Sequence, residues 1–269
     1  MNNSSCIIYT RFYHHIHTVN IRDYCLCWIQ AGDKSLVKNQ QRLDCQAGDL
    51  LIFMPETQWD VINRPPTGHY YQALNLQFDR ELIQSFHQLY GHQLYGHQLT
   101  QTRLTETTVI KQPMTTLLAA MERSHQLLNS QHSDLLKNHQ LIEVLLLLAE
   151  QGFILPLGRE KSWADKVRLL ISQEPAIEWS IERLAQHFHT SPSTLRRRIA
   201  EHQQTLGELI RETRLEIALV LLQSTDKSIG DISAHCGYES HSRFSAAFKQ
   251  RFGFLPSDLR TDNTLNSFA

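Results

Sequence analysis

Cysteine is sparse and scattered in this sequence: five residues (Cys6, Cys25, Cys27, Cys45 and Cys236), with no Cys-x-x-Cys pair among them. An odd count without paired spacing argues against a disulfide framework and against a zinc ribbon, so reduced thiols are expected. An excess of positive charge is also missing, with 26 Lys and Arg against 27 Asp and Glu. Many nucleic-acid binders carry a strongly basic total; here any case for DNA must rest on local clustering. Long apolar runs are absent too. The richest stretch, LIEVLLLLAEQGFILPL, is interrupted by Glu143 and Glu150 and ends at Pro156, short of the ~20 apolar residues a membrane span needs. The first residues, MNNSSCIIYTRFYHHIH, lack the basic start and apolar core of a secretory signal. A cytoplasmic chain without a membrane partner is the expectation.

What is present divides into two textures. A chain of 269 residues, 41% hydrophobic and 20% charged, has an ordinary globular balance and suits two domains. Up to about residue 78, short runs of β-formers (CIIYTRFY, YCLCWI, LLIFM, YYQALNLQF) alternate with turn words such as AGDK, QAGD and NRPPTG, the pattern of an antiparallel sandwich or barrel. From Asp79 onward the spacing becomes helical, with Leu117, Leu118 and Met121, then Leu141, Val144, Leu145 and Leu148, on one stripe. These helices would pack either on the sheet or on a second copy of the chain. QGFILPLGREK, from Gln151 to Lys161, breaks the helical period with two glycines and a proline and marks a linker. The expected fold class is therefore α+β with two domains. They span residues 1–155 and 163–261, with a linker at 156–162 and a tail at 262–269.

The strongest signal lies in the C-terminal third. SIERLAQHFHTSPSTLRRRIAEH (Ser180 to His202) and SIGDISAHCGYESHSRFSAAFKQRF (Ser228 to Phe252) each begin with a capping serine, run through a short helix and a tight turn, and enter a second capped helix. This is a helix-turn-helix written twice. In the first copy Ser191 and Pro192 make a strong helix start, and Leu195 and Ile199 face inward, leaving Ser193, Arg196 and Arg197 outside. In the second, Gly237 supplies the turn and Phe244, Phe248 and Phe252 form the inward stripe, leaving Ser242, Arg243 and Ala246 outside. Between the copies, Thr205 to Gln223 reads as one helix of about 28 Å at ~1.5 Å per residue. Adjacent major grooves on one side of DNA recur every ~34 Å. Against this stands a plain helical bundle with LRRR as a solvated face, since Ser162 to Arg260 holds thirteen Lys and Arg and twelve Asp and Glu.

The residues Gly237-Tyr238, Phe244, Phe248-Lys249, Phe252-Gly253, Pro256 and Leu259-Arg260 resemble the C-terminal signature of the AraC/XylS family of bacterial transcription regulators, over about 100 residues. Arg214-Leu215, Ala218 and Leu221-Leu222 resemble the family's connecting helix. Leu255 replaces the usual threonine, Leu259 the usual aromatic residue, and His189 the turn glycine of the other copy. The resemblance implies base reading by Ser193, Arg196 and Arg197 in one recognition helix (about 192–202) and by Ser242, Arg243 and Ala246 in the other (about 241–252). Arg198, Lys249 and Arg251 would contact phosphates. It further implies a DNA-binding regulator, by family habit an activator, with double-stranded DNA and RNA polymerase as partners, an N-terminal domain that senses or dimerises, and no catalytic role.

That N-terminal domain is commonly cupin-like in the family, and Ala47-Gly48-Asp49 entering a strand that ends at Pro55 resembles its turn word. Trp59 stands where a catalytic cupin would have histidine and no His-x-His follows Gly48, so no metal and no cofactor are expected. His15 and His17 would share a strand face, but no acid lies nearby in sequence, which favours surface histidines. Phe12, Leu26, Trp28, Phe53 and Leu74 are candidate lining for an apolar small-molecule effector, or simply the sandwich core. The competing reading is an effector-binding or catalytic cupin with a helical interaction module. One motif stays apart: HQLYGHQLYGHQL, from His87 to Leu99. Five-residue steps rotate a helix by about 140°, so its histidines cannot line one face. A tandem duplication in a loop or frayed helix end is expected.

Overall fold

In a computed structural model, residues 3–96, 104–201 and 203–260 are described. The chain divides into two compact units at Gly158 and Arg159, inside the stretch that breaks the helical period.

The N-terminal unit has two antiparallel sheets. Strands β1 (Ser4–Thr10), β2 (His14–Ile21), β3 (Tyr24–Ala31), β4 (Asp33–Lys38), β5 (Gln41–Gln46), β6 (Leu50–Phe53), β7 (Thr57–Arg64), β8 (Tyr71–Phe78) and β9 (Thr107–Ile110) are ordered β1-β8-β3-β6-β9 and β2-β7-β4-β5. Side chains alternate across a strand, and β3 is covered on both faces. Cys25, Cys27 and Ile29 join Leu36, Cys45, Leu51, Phe53, Trp59 and Tyr71 between the sheets. Tyr24 and Leu26 point the other way, into a larger core shared with the helices.

Those helices are α1 (Arg80–Gly96), α2 (Thr115–Leu128) and α3 (Asp134–Glu150). Two expectations change here. Strand β9 falls in a segment read as helical; it pairs with β6 from Phe53↔Thr107 to Leu50↔Ile110, adding an edge that a four-residue run cannot announce on its own. The repeat, expected in a loop or a frayed helix end, continues α1 as regular helix as far as Gly96, while residues 97–99 lie outside the described residues. Tertiary packing outweighs the glycine penalty: Leu82, Ile83, Phe86 and Leu94 are buried with Tyr90 packed beside them. His87 also bonds the Leu155 carbonyl at 2.8 Å. The leucine stripe of α3 is resolved in favour of the chain's own core, because Leu141, Val144, Leu145 and Leu148 are all buried there.

The C-terminal unit is helical: α4 (Trp163–Gln173), α5 (Ile181–His187), α6 (Pro192–Ala200), α7 (Leu206–Ser224), α8 (Ile229–His235) and α9 (His241–Phe252), closed by a 3₁₀ turn at Pro256–Leu259. Its starts are written in the sequence. Ser162 and Thr205 make capping boxes with Asp165 and Glu208, and Ser180, Ser191, Ser228 and Ser240 each accept a backbone N–H from the first turn. Among the described residues, no helix is long and apolar enough to cross a membrane.

Candidate nucleic-acid interface

The two helix-turn-helix copies share one turn geometry. After α5, Thr190 N–H bonds Ala185 O at 2.9 Å and His189 N–H bonds Gln186 O at 3.2 Å; after α8, Tyr238 N–H bonds Ser233 O at 3.0 Å and Gly237 N–H bonds Ala234 O at 2.9 Å. Both are the Schellman closure, which places one residue in the left-handed region. Gly237 takes φ 74 without cost, whereas His189 is held at φ 50 despite its Cβ. The substitution at 189 therefore leaves the turn regular and merely strains it.

Inward faces match the helical spacing. Leu195 and Ile199 are buried beside Val167, Leu184 and Leu209, and Phe244, Phe248 and Phe252 are buried with ring centroids 5.7 and 4.7 Å apart. On the opposite faces, Ser193, Arg196 and Arg197 of α6 and Ser242, Arg243 and Ala246 of α9 are all exposed. Arg196 reaches Glu182 at 3.4 Å, but both side chains are two-thirds exposed, and such a pair holds the arginine weakly. Ser193 and Ser242 lie within 3.0 and 2.8 Å of the capping hydroxyls Ser191 and Ser240.

The three expected phosphate contacts separate. Lys249 is exposed. Arg198 is half-buried, with its guanidinium 4.2 Å from the Trp163 ring centre, a cation–π contact. Arg251, expected on the outer face, is instead turned inward: its Nε donates to Glu212 at 2.5 Å with only 14% of the side chain exposed. Position 251 is three residues beyond Phe248 and so falls near the buried stripe, where α7 supplies a carboxylate.

Local spacing holds no hint of what fastens the copies together. Arg214 of α7 donates through Nε to Pro175 O at 2.8 Å, through Nη2 to Ile177 O at 3.1 Å, and through Nη1 to Gly237 O at 3.2 Å. One guanidinium thus ties the connecting helix to the approach to α5 and to the turn of the second copy. It also explains the glycine a second time, since a Cβ on residue 237 would lie 2.7 Å from Arg214 Nη2 and 2.9 Å from Ala176 Cα. Arg260 closes the far end by donating to Thr225 O at 2.6 Å and Lys227 O at 3.1 Å.

In the N-terminal unit the five candidate effector residues do not line one space. Leu26 and Leu74 are buried in the helix-side core with Trp28 packed against it, Phe53 lies between the sheets, and Phe12 is half-buried in the turn after β1. The space between the sheets carries polar groups that spacing did not reveal. Lys34 is buried there, donates to Asn63 Oδ1 at 2.8 Å and lies 5.3 Å from the Tyr71 ring centre. Burial pulls its pKa below the ordinary lysine value. Trp59 Nε1 and the Tyr71 hydroxyl are buried in the same core without a hydrogen-bond partner among the described residues. The Ala47-Gly48-Asp49 word forms the expected turn: Gly48 has φ 95, and the buried Asp49 carboxylate accepts from Gln46 N–H and Lys111 Nζ, each at 2.8 Å.

Comparison with known proteins agrees with this division. Residues 184–262 match a helix-turn-helix domain family. The urease operon transcriptional activator of Escherichia coli is 31% identical over 130 residues, covering 47% of this chain and 44% of that protein. The HTH-type transcriptional regulator GadX of Escherichia coli K12 is 28% identical over 136 residues, 49% of this chain and 50% of the other. The chain thus spans about half the length of the curated relatives it matches. Across both units the fold is similar to that of ToxT from Vibrio cholerae, with a TM-score of 0.59 over 96% of this chain and 97% of that one, at 14% identity. The C-terminal unit, with its doubled helix-turn-helix, is thus similar to a helix-turn-helix domain family and to parts of these two transcription regulators.

Proposed function

We propose that the chain is a sequence-specific DNA-binding transcription regulator that sets α6 and α9 into adjacent major grooves. The observation that carries this reading is the pairing of two equivalent turns with two exposed polar faces on the helices that follow them, Ser193 and Arg197 of α6 standing at the same distance from the cap as Ser242 and Ala246 of α9. Arg196, Arg197 and Arg243 pair with guanine O6 and N7, each good bidentate pair contributing about 1–3 kcal/mol of discrimination. Ser193 and Ser242 bond base edges, and Ala246, which offers only a methyl group, meets a thymine methyl. Lys249 neutralises phosphate, and Arg198 does so from its seat on Trp163. Arg251 is removed from that set by its bond to Glu212. No catalytic role is assigned to either unit.

The relatives named above include an activator, which favours activation through contact with RNA polymerase beside the bound site. A working place in the cytoplasm, on DNA, follows from that role. The N-terminal unit is proposed to sense a small molecule or pair two subunits. A ToxT structure is described as bound to an unsaturated fatty acid, and in this chain the buried Lys34 with the polar atoms of Trp59 and Tyr71 supplies the matching requirement for an apolar ligand with one acidic end. An enzymatic cupin is the weaker reading, because Trp59 fills the sandwich interior where a metal-binding histidine would be needed.

A gel shift with DNA selected from a random-sequence pool tests the DNA-binding role. Arg196→Glu/Arg197→Glu should lose specific binding by at least a hundredfold, and the remaining binding should fall steeply with salt. Unchanged, salt-insensitive binding would remove the assignment.

A further inference from the structure

On the outer face of the four-stranded sheet, away from the buried core, three side chains converge on one point. His15 and His17 stand two residues apart on β2, an edge strand, and therefore project to the same side. The register between β2 and β7 shifts between Ile16 and Val19, where Thr18 adopts φ 58. That bulge turns the Thr18 N–H toward β7, and it donates to Asp60 Oδ1 at 2.8 Å. With one carboxylate oxygen so anchored, the other is aimed at the rings: Oδ2 lies 3.0 Å from His17 Nδ1 and 3.8 Å from His15 Nε2. All three ligand atoms lie within 4.8 Å of one another.

We propose that His15, His17 and Asp60 bind a divalent transition-metal ion such as Zn2+. Ligands at roughly 2.0–2.2 Å around a tetrahedral ion stand about 3.3–3.6 Å apart, so the rings need only small rotations to close on one. His15 Nε2 is the most telling of the three donors. It is shielded from water and has no hydrogen-bond partner among the described residues, and a buried nitrogen left unpaired is costly. An ion between the rings uses that lone pair. The Thr18 N–H is the kind of outer contact that fixes a ligating carboxylate.

The donor set, two imidazoles and one carboxylate, suits zinc, nickel or copper rather than the all-oxygen preference of calcium and magnesium. The nearby Arg64 is held by its 2.7 Å bond to Ser35 Oγ. Side-chain exposures of 36%, 51% and 32% for His15, His17 and Asp60 leave room for water in the remaining position. Bound there, the ion ties the edge strand β2 to β7. The acid that completes the set is 43 residues from His17, which is why no local spacing announces it.

The test uses the full chain stripped with chelator. Calorimetric titration with Zn2+ should give one site per chain, and thermal melting should move upward when the ion is added. His17→Gln and Asp60→Asn, the latter keeping an acceptor for Thr18, should each weaken binding tenfold or more and abolish the upward shift. His92→Gln, in the repeat, should change neither. Co2+ in place of Zn2+ should give visible absorption in the parent protein that both site variants lose. The proposal is overturned if the parent protein shows no zinc-dependent shift. It is overturned equally if His17→Gln, folded by circular dichroism without metal, binds Zn2+ as the parent does.

Discussion

The two helix-turn-helix copies solve one geometrical problem with different residues. At the turn, the second copy uses Gly237, which fits both the left-handed backbone and the Arg214 guanidinium packed against it, whereas the first holds His189 at positive φ. At the recognition face the order reverses: α6 offers Arg196 and Arg197, and α9 offers Arg243 and Ala246. The first copy thus tolerates strain in its turn and carries more hydrogen-bonding capacity on its face. The second is held more tightly at the turn and has less with which to read a base. Strength of readout and rigidity of support are separate properties in this unit, even though one arginine, Arg214, reaches both the approach to α5 and the Gly237 turn.

The asymmetry between the copies should show most strongly at their recognition faces. Arg196→Ala/Arg197→Ala should cost about 2–6 kcal/mol of specific binding, two pairs at ~1–3 kcal/mol each, and Arg243→Ala about half as much. Fluorescence anisotropy at one fixed salt concentration, against selected and scrambled duplexes, separates the two. Equal losses would remove the asymmetry. Next is Gly237→Ala. The left-handed conformation costs a Cβ residue roughly 1–2 kcal/mol and the close approach to Arg214 and Ala176 adds overpacking strain, so denaturant unfolding should lose about 2–4 kcal/mol. His189→Gly should act in the opposite direction. It relieves left-handed strain but adds glycine's unfolded-state freedom, for a net gain of about 0.5–1 kcal/mol by the same measurement.

The smallest effect is expected from deleting one YGHQL unit. Removing residues 90–94 brings an identical word into register, so the chain again reads HQLYGHQL from position 87 to 94. The buried contacts of Leu94 and Tyr90 in α1 are thereby rebuilt by the next copy. Stability should change by no more than about 0.5 kcal/mol, and DNA binding should be unaltered. A large loss of stability in the melt would mean that residues beyond Leu94 support the N-terminal unit.

Local signals carried the C-terminal unit well. Capping serines, Pro192, the turn glycine and the three-phenylalanine stripe are all short-range features, and each element stands where they placed it. Contacts that join distant segments were not legible. Arg214 bonds carbonyls up to 39 residues away, and Arg251 finds Glu212 at the same separation. In the N-terminal unit the division of the apolar residues between two cores followed from the sheet order, which alternation along single strands does not specify. The continuation of helix α1 through the repeat was hidden for a related reason. Its glycines weaken the local preference, while Leu82, Ile83, Phe86 and Leu94 anchor it through packing that only the folded sheet supplies.

Whether two recognition helices of one chain enter adjacent major grooves can be read from methylation interference on a selected operator. Methylation at guanine N7 blocks the arginine pairs in the major groove. Two clusters of interference should appear about one helical turn, ~10 base pairs, apart, with Arg197→Ala erasing one cluster and Arg243→Ala weakening the other. A single cluster, or two that both disappear with Arg197→Ala while Arg243→Ala changes nothing, would contradict the paired-groove arrangement.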